Sequence, residues 1–530
     1  MDFASLILTL VLSTSASWAR MFIALFLSIL VSLGIGIYAA RSEVGGRIIL
    51  PILDIFQTLP ILAFFPFVIF IFVGVLPGFI GINAAVIFLI VTSMMWNISF
   101  GVYESIKALP AEFDEVSKLY GMSTFERLTK IYLPAAMPRV VEQSVLSWAI
   151  GLFYLVTSEI FSTGSAVYQV KYGIGSQLTQ LALGGNTEGY VLGLAVFILF
   201  VVATRFLFFA PLERYVTRYN AETQRVEEPK FSDRVKSSIL HNRLIRVPHI
   251  VIKMRHKAGS VARRSIDSIN IHNGPGRMSA VESSIKRHAT LIAVVAILAV
   301  IAAVFLQNNL ISYEAEALAA LAISFARVWI TFAMILLVSV PLCIYLVFKA
   351  KNSNSYLLFF QVLASIPATI LMPIIVEALK GYPMHNEAIA IAVFFLSGIW
   401  YVVFSIIAST KTLPASVFEV KKLFFVNGHN AFKNIYMKAI FPGLVTGAVT
   451  AIAAEWNASI VAEYFTSNAA SGGTVLSAVQ YGMGKLLDTA LSANNLVLMF
   501  VALLNLVAMI LIINSLVWKR LYNKISVIYS

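Results

Sequence analysis

The sequence predicts an all-α polytopic membrane protein. It is expected to be a tandem repeat of two five-helix bundles with one extra linking span, which gives about 11 transmembrane helices. Hydrophobic residues form 59% of the 530 residues and charged residues only 12%, against about 45–50% and about 25% in soluble domains. Apolar runs long enough to cross a bilayer as a helix recur along the chain, and its second half repeats its first.

The repeat is visible as short matches in constant register. SWAR at residues 17–20 matches SFAR at 324–327, at an offset of 307 residues. Glu115-Val116 recurs as Glu419-Val420, at an offset of 304. Further matches share these two offsets, which chance does not produce, so the chain contains two homologous bundles.

The apolar runs give the spans of the first bundle in order. They are predicted at about residues 18–40, 48–73, 84–107, 141–161 and 190–211. Residues 3–14 are apolar but short, so we expect them at the outer interface rather than across the membrane. Pro60 and Pro66 are expected to kink the second span, because proline removes a helical hydrogen bond.

Composition divides the chain into four parts. They are the first repeat at 1–212, a basic linker at 213–287, an extra span at 288–308 and the second repeat at 309–530. The linker holds 16 Lys/Arg and 7 Asp/Glu, and so carries +9 of the formal net charge of +13. Because the basic residues lie in loops, the charge indicates a linker at the inner lipid surface and no nucleic-acid partner.

The placement of Lys and Arg predicts how the chain lies in the plasma membrane. Basic residues concentrate on one side of the predicted spans, at positions such as 41 and 47, in the linker and at 519–520. Cytoplasmic loops are the ones enriched in Lys and Arg. We therefore expect the N-terminus outside and both the linker and the C-terminus in the cytoplasm, with the extra span returning the chain so that the halves point the same way.

No motif for an enzyme site occurs in the sequence. The phosphate-binding pattern GxxxxGK[ST] is absent, so the chain is not expected to bind ATP or Mg²⁺ itself. Cys343 is the one cysteine and lies in an apolar run, which predicts neither a disulfide within the chain nor a cysteine metal site. We predict no catalytic residue, no metal site and no cofactor bound by this chain.

The polar segment at residues 115–138, between two apolar runs, carries an informative spacing. Its first residue, a glutamate, is followed six positions later by a glycine, and nine residues then precede an Ile-x-Leu-Pro sequence. The matching residues are Glu115, Gly121, Ile131, Leu133 and Pro134. This pattern resembles the EAA loop of ABC importer permeases, Glu-Ala-Ala-x3-Gly-x9-Ile-x-Leu-Pro, with Val116 and Ser117 in place of the two alanines.

That resemblance implies a permease in which one chain supplies both halves, similar to the duplicated nitrate/sulfonate/taurine-type anion permeases. It implies a translocation pathway for a small, anionic solute. The implied partners are two ATP-binding cassette ATPase subunits, which hold ATP and Mg²⁺, and an extracytoplasmic substrate-binding protein. In such permeases the segment at 115–138 forms a coupling helix that docks into an ATPase. Here Gly121 is expected to allow a tight turn, and Pro134 to end the docking segment.

The second copy of this segment, at residues 419–442, departs from the pattern. The residues assigned to ATPase coupling here are Glu419, Phe425, Gly428, Ile435 and Pro442. Phe425 stands where the first copy has Gly121, and its large side chain is expected to fill an ATPase groove. Gly428 follows an asparagine and offers a turn shifted by a few residues. We therefore expect the two ATPase contacts to be unequal.

Charged residues also lie within the predicted spans, where insertion costs about 2.5–3.5 kcal/mol and the charge usually faces a partner or a cavity. Those singled out are Arg20, Glu159, Arg327, Glu455 and Glu463. Arg20 and Glu159 lie at similar depth, and so do their repeat equivalents, Arg327 and Glu463. Each pair therefore either ties two helices together or lines the translocation path. Glu455 has no equivalent, because Gly151 occupies its place, and it is the better candidate for a specific role.

A secondary active transporter with parallel repeats is the alternative function, since such repeats also suit alternating access. It would need ion-coupling carboxylates and no cytoplasmic docking segment. A channel would need pore rings from an oligomer, for which a chain of two halves gives no reason. Association with an ATPase separates the importer from both alternatives.

Overall fold

The computed structural model describes helical parts of both repeats. The described residues are 3–58, 68, 71–72, 74–76, 78–110, 112–163, 170, 172–216, 310–348, 360, 363–379, 381–410, 430, 432–464, 479–493, 495–518 and 520–521. They fall into two compact units. One unit combines Met1–Lys107, Pro138–Arg218 and Glu316–Ser530, and therefore holds helices of both repeats, whereas Ala108–Met137 belongs to the other.

The described helices of the first repeat follow its apolar runs. In chain order they are α1 (Phe3–Arg41), α2 (Glu43–Thr58), α3 (Gly78–Lys107), α4 (Glu112–Leu119), α5 (Thr124–Arg127), α6 (Leu133–Thr163), α7 (Ile174–Leu183), α8 (Thr187–Ala203) and α9 (Ala210–Val216). Two π-helical turns, π1 (Leu128–Tyr132) and π2 (Thr204–Phe209), join α5 to α6 and α8 to α9. The last helix continues past the predicted end of the repeat at residue 212.

The second repeat reproduces this pattern. Its described helices are α10 (Leu310–Phe348), α11 (Ala368–Leu379), α12 (His385–Thr410), α13 (Met437–Tyr464), α14 (Met483–Ser492) and α15 (Leu496–Ile513). The π-helical turns recur as π3 (Phe432–Tyr436) and π4 (Asn514–Trp518). Since π3 lies 304 residues after π1, the repeat extends to single helical turns.

The predicted fold class is confirmed. Among the described residues, eight helical stretches are long and apolar enough to cross a membrane, and α11 is a shorter apolar helix. Much of the second predicted span, with Pro60 and Pro66, lies outside the described residues, as do the linker beyond residue 216 and the extra span at 288–308.

Residues 3–14 are continuous with the first predicted span, because α1 runs from Phe3 to Arg41. Their place at the outer interface stays a prediction. Leu10, Ser13 and Thr14 are buried on this helix together with residues of the predicted span. The Thr14 hydroxyl donates to the Leu10 carbonyl at 2.7 Å, which satisfies a polar side chain inside an apolar helix. The extended N-terminal part of α1 is therefore packed structure.

Small residues allow close packing between the long helices. A Cβ on Gly36 of α1 would lie 2.9 Å from the Ser99 carbonyl oxygen on α3. The Ser32 hydroxyl donates to the Met95 carbonyl at 2.8 Å, which joins the same two helices. In the second repeat, Gly443 and Gly447 of α13 lie against the α12 backbone. This use of small and hydroxyl side chains is typical of helix pairs in membranes.

Candidate functional site

The predicted coupling segment of the first repeat forms two short helices separated by a glycine turn. α4 ends at Leu119, and Gly121 has φ of +59°. Only glycine takes this backbone conformation without a steric penalty from a Cβ. As the sequence predicts, Gly121 therefore supplies a tight turn, after which α5 begins at Thr124.

A capping box fixes the start of the second short helix, a feature that the sequence reading missed. The Glu126 N–H donates to the Ser123 hydroxyl at 3.3 Å, and the Ser123 N–H donates to a Glu126 carboxylate oxygen at 3.1 Å. The signal was available as the sequence Ser-x-x-Glu. Lys130 donates to Glu126 at 3.0 Å, and this hydrogen bond, with those of Ser123, lowers the pKa of Glu126 to about 2.

Pro134 does not break the helix, and its predicted role in ending the docking segment stays a prediction. The helical path continues from α5 through π1 into α6, with the Leu133 N–H donating to the Leu128 carbonyl five residues back. A π turn tolerates the missing proline N–H because the regular pattern is already displaced there. The equivalent turn π3 precedes Lys438 rather than a proline, so the proline is not its cause.

The first coupling segment leaves apolar side chains exposed. Leu119 is 84% exposed and Tyr120 is 79% exposed, while Phe113 and Val116 on α4 are about half exposed. Glu115 is also exposed, and Ile131 and Leu133 are partly buried. Exposed apolar side chains gathered on one short segment are typical of a protein contact surface.

The second coupling segment is described only at its C-terminal end. Glu419, Phe425 and Gly428 lie outside the described residues. Ile435 lies in π3 and packs beside a buried apolar cluster of the second repeat. Pro442 lies inside α13. The predicted inequality of the two coupling segments stays a prediction.

The predicted charged pair of the first repeat, Arg20 and Glu159, belongs to one buried group. The Arg20 guanidinium on α1 lies 2.8 Å from a Glu159 carboxylate oxygen on α6. It also donates to the Asn83 side-chain oxygen at 2.7 Å and to the Tyr172 carbonyl at 2.6 Å. Arg20 is 5% exposed and Glu159 is fully buried, so the predicted pair is present and shielded from solvent.

The equivalent group of the second repeat contains one more carboxylate. Arg327 on α10 lies 2.7 Å from Glu463 on α13. Its Nε and second terminal nitrogen donate to both oxygens of Glu387, at 2.6 and 2.7 Å. Glu387 occupies the position of Asn83 at the offset of 304, and this correspondence was the signal that the sequence reading missed. The first group is formally neutral and the second carries one negative charge.

Both groups hold the start of a short helix. Glu159 accepts from the Gly175 N–H at 2.8 Å, and the Ser17 hydroxyl accepts from the Ile174 N–H at 3.0 Å. The second repeat has the same contacts between Glu463 and Gly484, at 2.9 Å, and between Ser324 and Met483, at 2.8 Å. A carboxylate at a helix N-terminus is favourable. The pairs thus tie helices together, and a role in lining the path stays a prediction.

Glu455 is fully buried in α13, and within the described residues neither carboxylate oxygen has a hydrogen-bond partner. It fits because α12 has a glycine opposite: a Cβ on Gly398 would lie 3.0 Å from Glu455 Oε1. In the first repeat the large and the small residue have exchanged helices: Met94 on α3 lies against Gly151 on α6. The carboxyl group therefore takes the volume that a methionine side chain takes in the first repeat.

In the part of the chain that the structure describes, two side-chain hydrogen bonds join helices of the first repeat to helices of the second, within the same compact unit. The Tyr154 hydroxyl on α6 donates to the Asn457 side-chain oxygen on α13 at 2.6 Å. The Tyr190 hydroxyl on α8 donates to the Ile370 carbonyl on α11. Neither contact was expected from the sequence.

Comparison with known families identifies the chain. The profile of the binding-protein-dependent transport system inner membrane component matches residues 32–218 and again residues 339–517, which together exceed half of the 530 residues. The chain belongs to this family. It contains two copies of the family's domain, as the repeat and the resemblance predict.

The curated relatives are named as permeases for different solutes. The chain is 31% identical over 183 residues to the glycine betaine transport system permease protein OpuAB of Bacillus subtilis (strain 168), which covers 34% of this chain and 58% of that protein. It is 31% identical over 104 residues to the nitrate import permease protein NrtB of Synechocystis sp. (strain PCC 6803), with 20% and 36% covered. It is 24% identical over 210 residues to the bicarbonate transport system permease protein CmpB of Synechococcus elongatus (strain PCC 7942), with 39% and 69% covered.

The chain spans somewhat more than half the length of the glycine betaine permeases that it matches. No solved structure matches it significantly. These relatives are transport components rather than enzymes.

Proposed function

We propose that this chain forms the translocation pathway of an ABC importer, with each repeat serving as one permease half. Two separate ATPase subunits would bind and hydrolyse ATP beneath it, and an extracytoplasmic binding protein would deliver the solute. Membership of the binding-protein-dependent family supports this proposal.

The observation that carries the proposal is the exposed first coupling segment. α4, the Gly121 turn and α5 present Leu119 and Tyr120 to solvent, although both are large side chains that gain from burial. An ATPase groove would cover them. ATP binding would then move the segment, and the continuous helix from α5 through π1 into α6 would carry that movement towards the membrane.

The orientation follows from the same contact. ATP is cytoplasmic, so we place the coupling segments, the linker and the C-terminus in the cytoplasm and the N-terminus outside. The placement of Lys and Arg supports this orientation.

For the solute, we propose a small molecule that carries an oxyanion group. The names of the relatives include nitrate, bicarbonate and glycine betaine. Nitrate and bicarbonate are anions, whereas glycine betaine is a zwitterion with a carboxylate. The oxyanion group is what the three solutes share, and it is broader than the purely anionic solute that the sequence predicts.

Reconstitution with partner subunits tests the proposal. The chain is co-expressed with a P-loop ATPase and a binding protein encoded beside it, and uptake into proteoliposomes is measured with and without ATP. We expect ATP-dependent uptake, and we expect Leu119→Asp together with Tyr120→Asp to abolish ATPase association. Tyr382→Asp is a control at another exposed apolar position, in the turn between α11 and α12 and outside the coupling segment. Uptake driven by an ion gradient without an ATPase would instead indicate a secondary transporter.

A further inference from the structure

Tyr154 on α6 of the first repeat and Asn457 on α13 of the second form a side-chain hydrogen bond between the repeats. The phenol hydroxyl donates to the amide oxygen at 2.6 Å, and both residues are buried, with 4% and 7% of their surfaces exposed. Each lies well inside a long helix whose apolar stretch is long enough to span a membrane. The contact is therefore a buried hydrogen bond between one helix of each repeat.

The two repeats contribute different residues to this hydrogen bond, and the reciprocal bond is not possible. At the offset of 304, the position of Tyr154 corresponds to Ala458 and the position of Asn457 corresponds to Phe153. Alanine and phenylalanine cannot form the reciprocal hydrogen bond. A symmetric pair of identical permeases would have two such bonds or none, so this single bond depends on the divergence of the two halves.

Asn457 makes a second hydrogen bond, within its own helix. The Asn457 amide nitrogen donates to the Ala453 carbonyl of its own helix at 2.9 Å. The amide oxygen therefore remains the group that Tyr154 can reach, and separation of the pair frees one O–H donor and one carbonyl acceptor.

We propose that Tyr154 and Asn457 form a polar gate between the two permease halves and contact the transported solute when the pair separates. A buried donor left without a partner is costly, so the freed Tyr154 hydroxyl favours a solute with an oxyanion oxygen as acceptor. This inference rests on the proposed function, and it assigns solute contact to a residue from each half.

The chain offers a matched control for this gate. Tyr190 also donates its hydroxyl across the junction of the repeats, to the Ile370 carbonyl. Tyr190→Phe and Tyr154→Phe remove the same atom from the same residue type, and each deletes one bond between the repeats. Tyr154→Phe deletes a bond between two side chains, whereas Tyr190→Phe deletes a bond to a backbone carbonyl.

Crosslinking tests whether the gate moves. Tyr154→Cys and Asn457→Cys are introduced after Cys343→Ala removes the natural cysteine, and Tyr190→Cys with Ile370→Cys is the reference pair. A short bis-methanethiosulfonate reagent is applied to the complex with its ATPases, without nucleotide and after trapping with ATP and vanadate. We expect the 154–457 crosslink to form without nucleotide and to be lost on trapping, whereas the reference crosslink persists. Equal yields at 154–457 in both states would overturn the gate.

Uptake tests whether the gate contacts the solute. Glycine betaine and nitrate are the probes, in proteoliposomes with the ATPases and the binding protein. We expect Tyr154→Phe to raise KM for the transported probe at least about fivefold, the effect of losing one hydrogen bond, while Tyr190→Phe leaves KM within about twofold. Equal KM values for the two variants would contradict solute contact.

Different outcomes contradict the proposed function and the gate. If no ATPase assembles with the parent chain, the proposed function itself fails. If the parent complex assembles and hydrolyses ATP but transports neither probe, the proposed solute class fails, and the crosslinking result alone decides whether the gate exists.

Discussion

At the scale of single residues, Glu455 places a carboxyl group where the first repeat buries a methionine. The side chain is fully buried, and its oxygens have no hydrogen-bond partner among the described residues. An unsatisfied buried polar group costs about 1–3 kcal/mol. Because Gly398 leaves room for the whole side chain, an apolar side chain of similar length could fill the same space without strain.

Glu455→Met should therefore stabilise the second bundle by roughly 1–3 kcal/mol, since it removes the unsatisfied group and keeps the volume. The midpoint of thermal unfolding in detergent measures the effect. Glu463→Met is the matched control: it removes a carboxylate that is bonded to Arg327 and Ser324, so its midpoint should fall. A lower midpoint for Glu455→Met would mean that the carboxyl group has a stabilising partner. If transport is lost while stability rises, the carboxyl group is retained for function.

The pair of Arg20 and Glu159 is the opposite case, a buried charge with several partners. Removing one member leaves the other buried and unpaired, which costs about 3–5 kcal/mol. Arg20 also donates to Asn83 and to a backbone carbonyl, while Glu159 accepts from Ser17 and from the Gly175 N–H. Because of these further hydrogen bonds, the arginine has to lie on α1 and the glutamate on α6.

Charge reversal at either position should therefore reduce the amount of folded protein in membranes. The combination of Arg20→Glu and Glu159→Arg should restore only part of it, because an arginine at 159 cannot accept from the Gly175 N–H. Fluorescence-detected size exclusion of tagged variants measures the folded fraction. Glu142→Arg, at an exposed ion pair with Arg139, is the control and should change little. Full recovery in the double variant would show that the ion pair alone matters.

At the scale of elements, the first coupling segment depends on its turn. α4 and α5 can leave each other at a sharp angle because Gly121 takes a positive φ, and the capping box of Ser123 and Glu126 then starts α5 at a defined residue. Nothing within 4 Å would obstruct a Cβ at Gly121. The requirement at this position is therefore the backbone conformation and not the space around it.

Gly121→Val should disturb the turn, because a β-branched residue at positive φ is strained by roughly 1–2 kcal/mol or more. We expect ATP hydrolysis by the assembled complex to persist while uptake falls at least about tenfold, since the segment would no longer transmit movement. Gly121→Asn is the matched control, since asparagine tolerates this conformation, and it should retain most of the uptake. If Val and Asn behave alike, the left-handed turn has no role in coupling.

At the scale of the whole molecule, the sequence predicted what depends on periodicity and composition. Hydropathy predicted a helical membrane protein, and matches at constant offsets predicted the repeat. Similar depth in the spans predicted that Arg20 pairs with Glu159 and Arg327 with Glu463. The contacts of Glu387 depend on how a helix is rotated about its axis, which a run of uniformly apolar residues does not encode. The bond between Tyr154 and Asn457 depends on how the two repeats pack against each other, and the sequence carries no local signal for it.

The predicted parallel orientation of the two repeats also constrains the membrane topology. Five spans per repeat would leave the second repeat inverted unless one additional crossing lies between them, and the apolar run at 288–308 is the segment available for it. The basic linker at 213–287 would then lie on the same side as both coupling segments. Lys and Arg are retained on the cytoplasmic side, so a linker with 16 such residues strongly favours that side.

Accessibility of a single cysteine in the linker tests this arrangement. With Cys343→Ala as background, Ser260→Cys should react with a membrane-impermeant maleimide in inverted vesicles and remain unlabelled in intact cells. Gly185→Cys, in the turn between α7 and α8, is the matched position for the outer side and should show the reverse pattern. If both cysteines label from the same side, the five-span repeat is wrong. If both label but with the sides exchanged, the repeat stands, and the coupling segments face away from cytoplasmic ATP, which would contradict the importer as well.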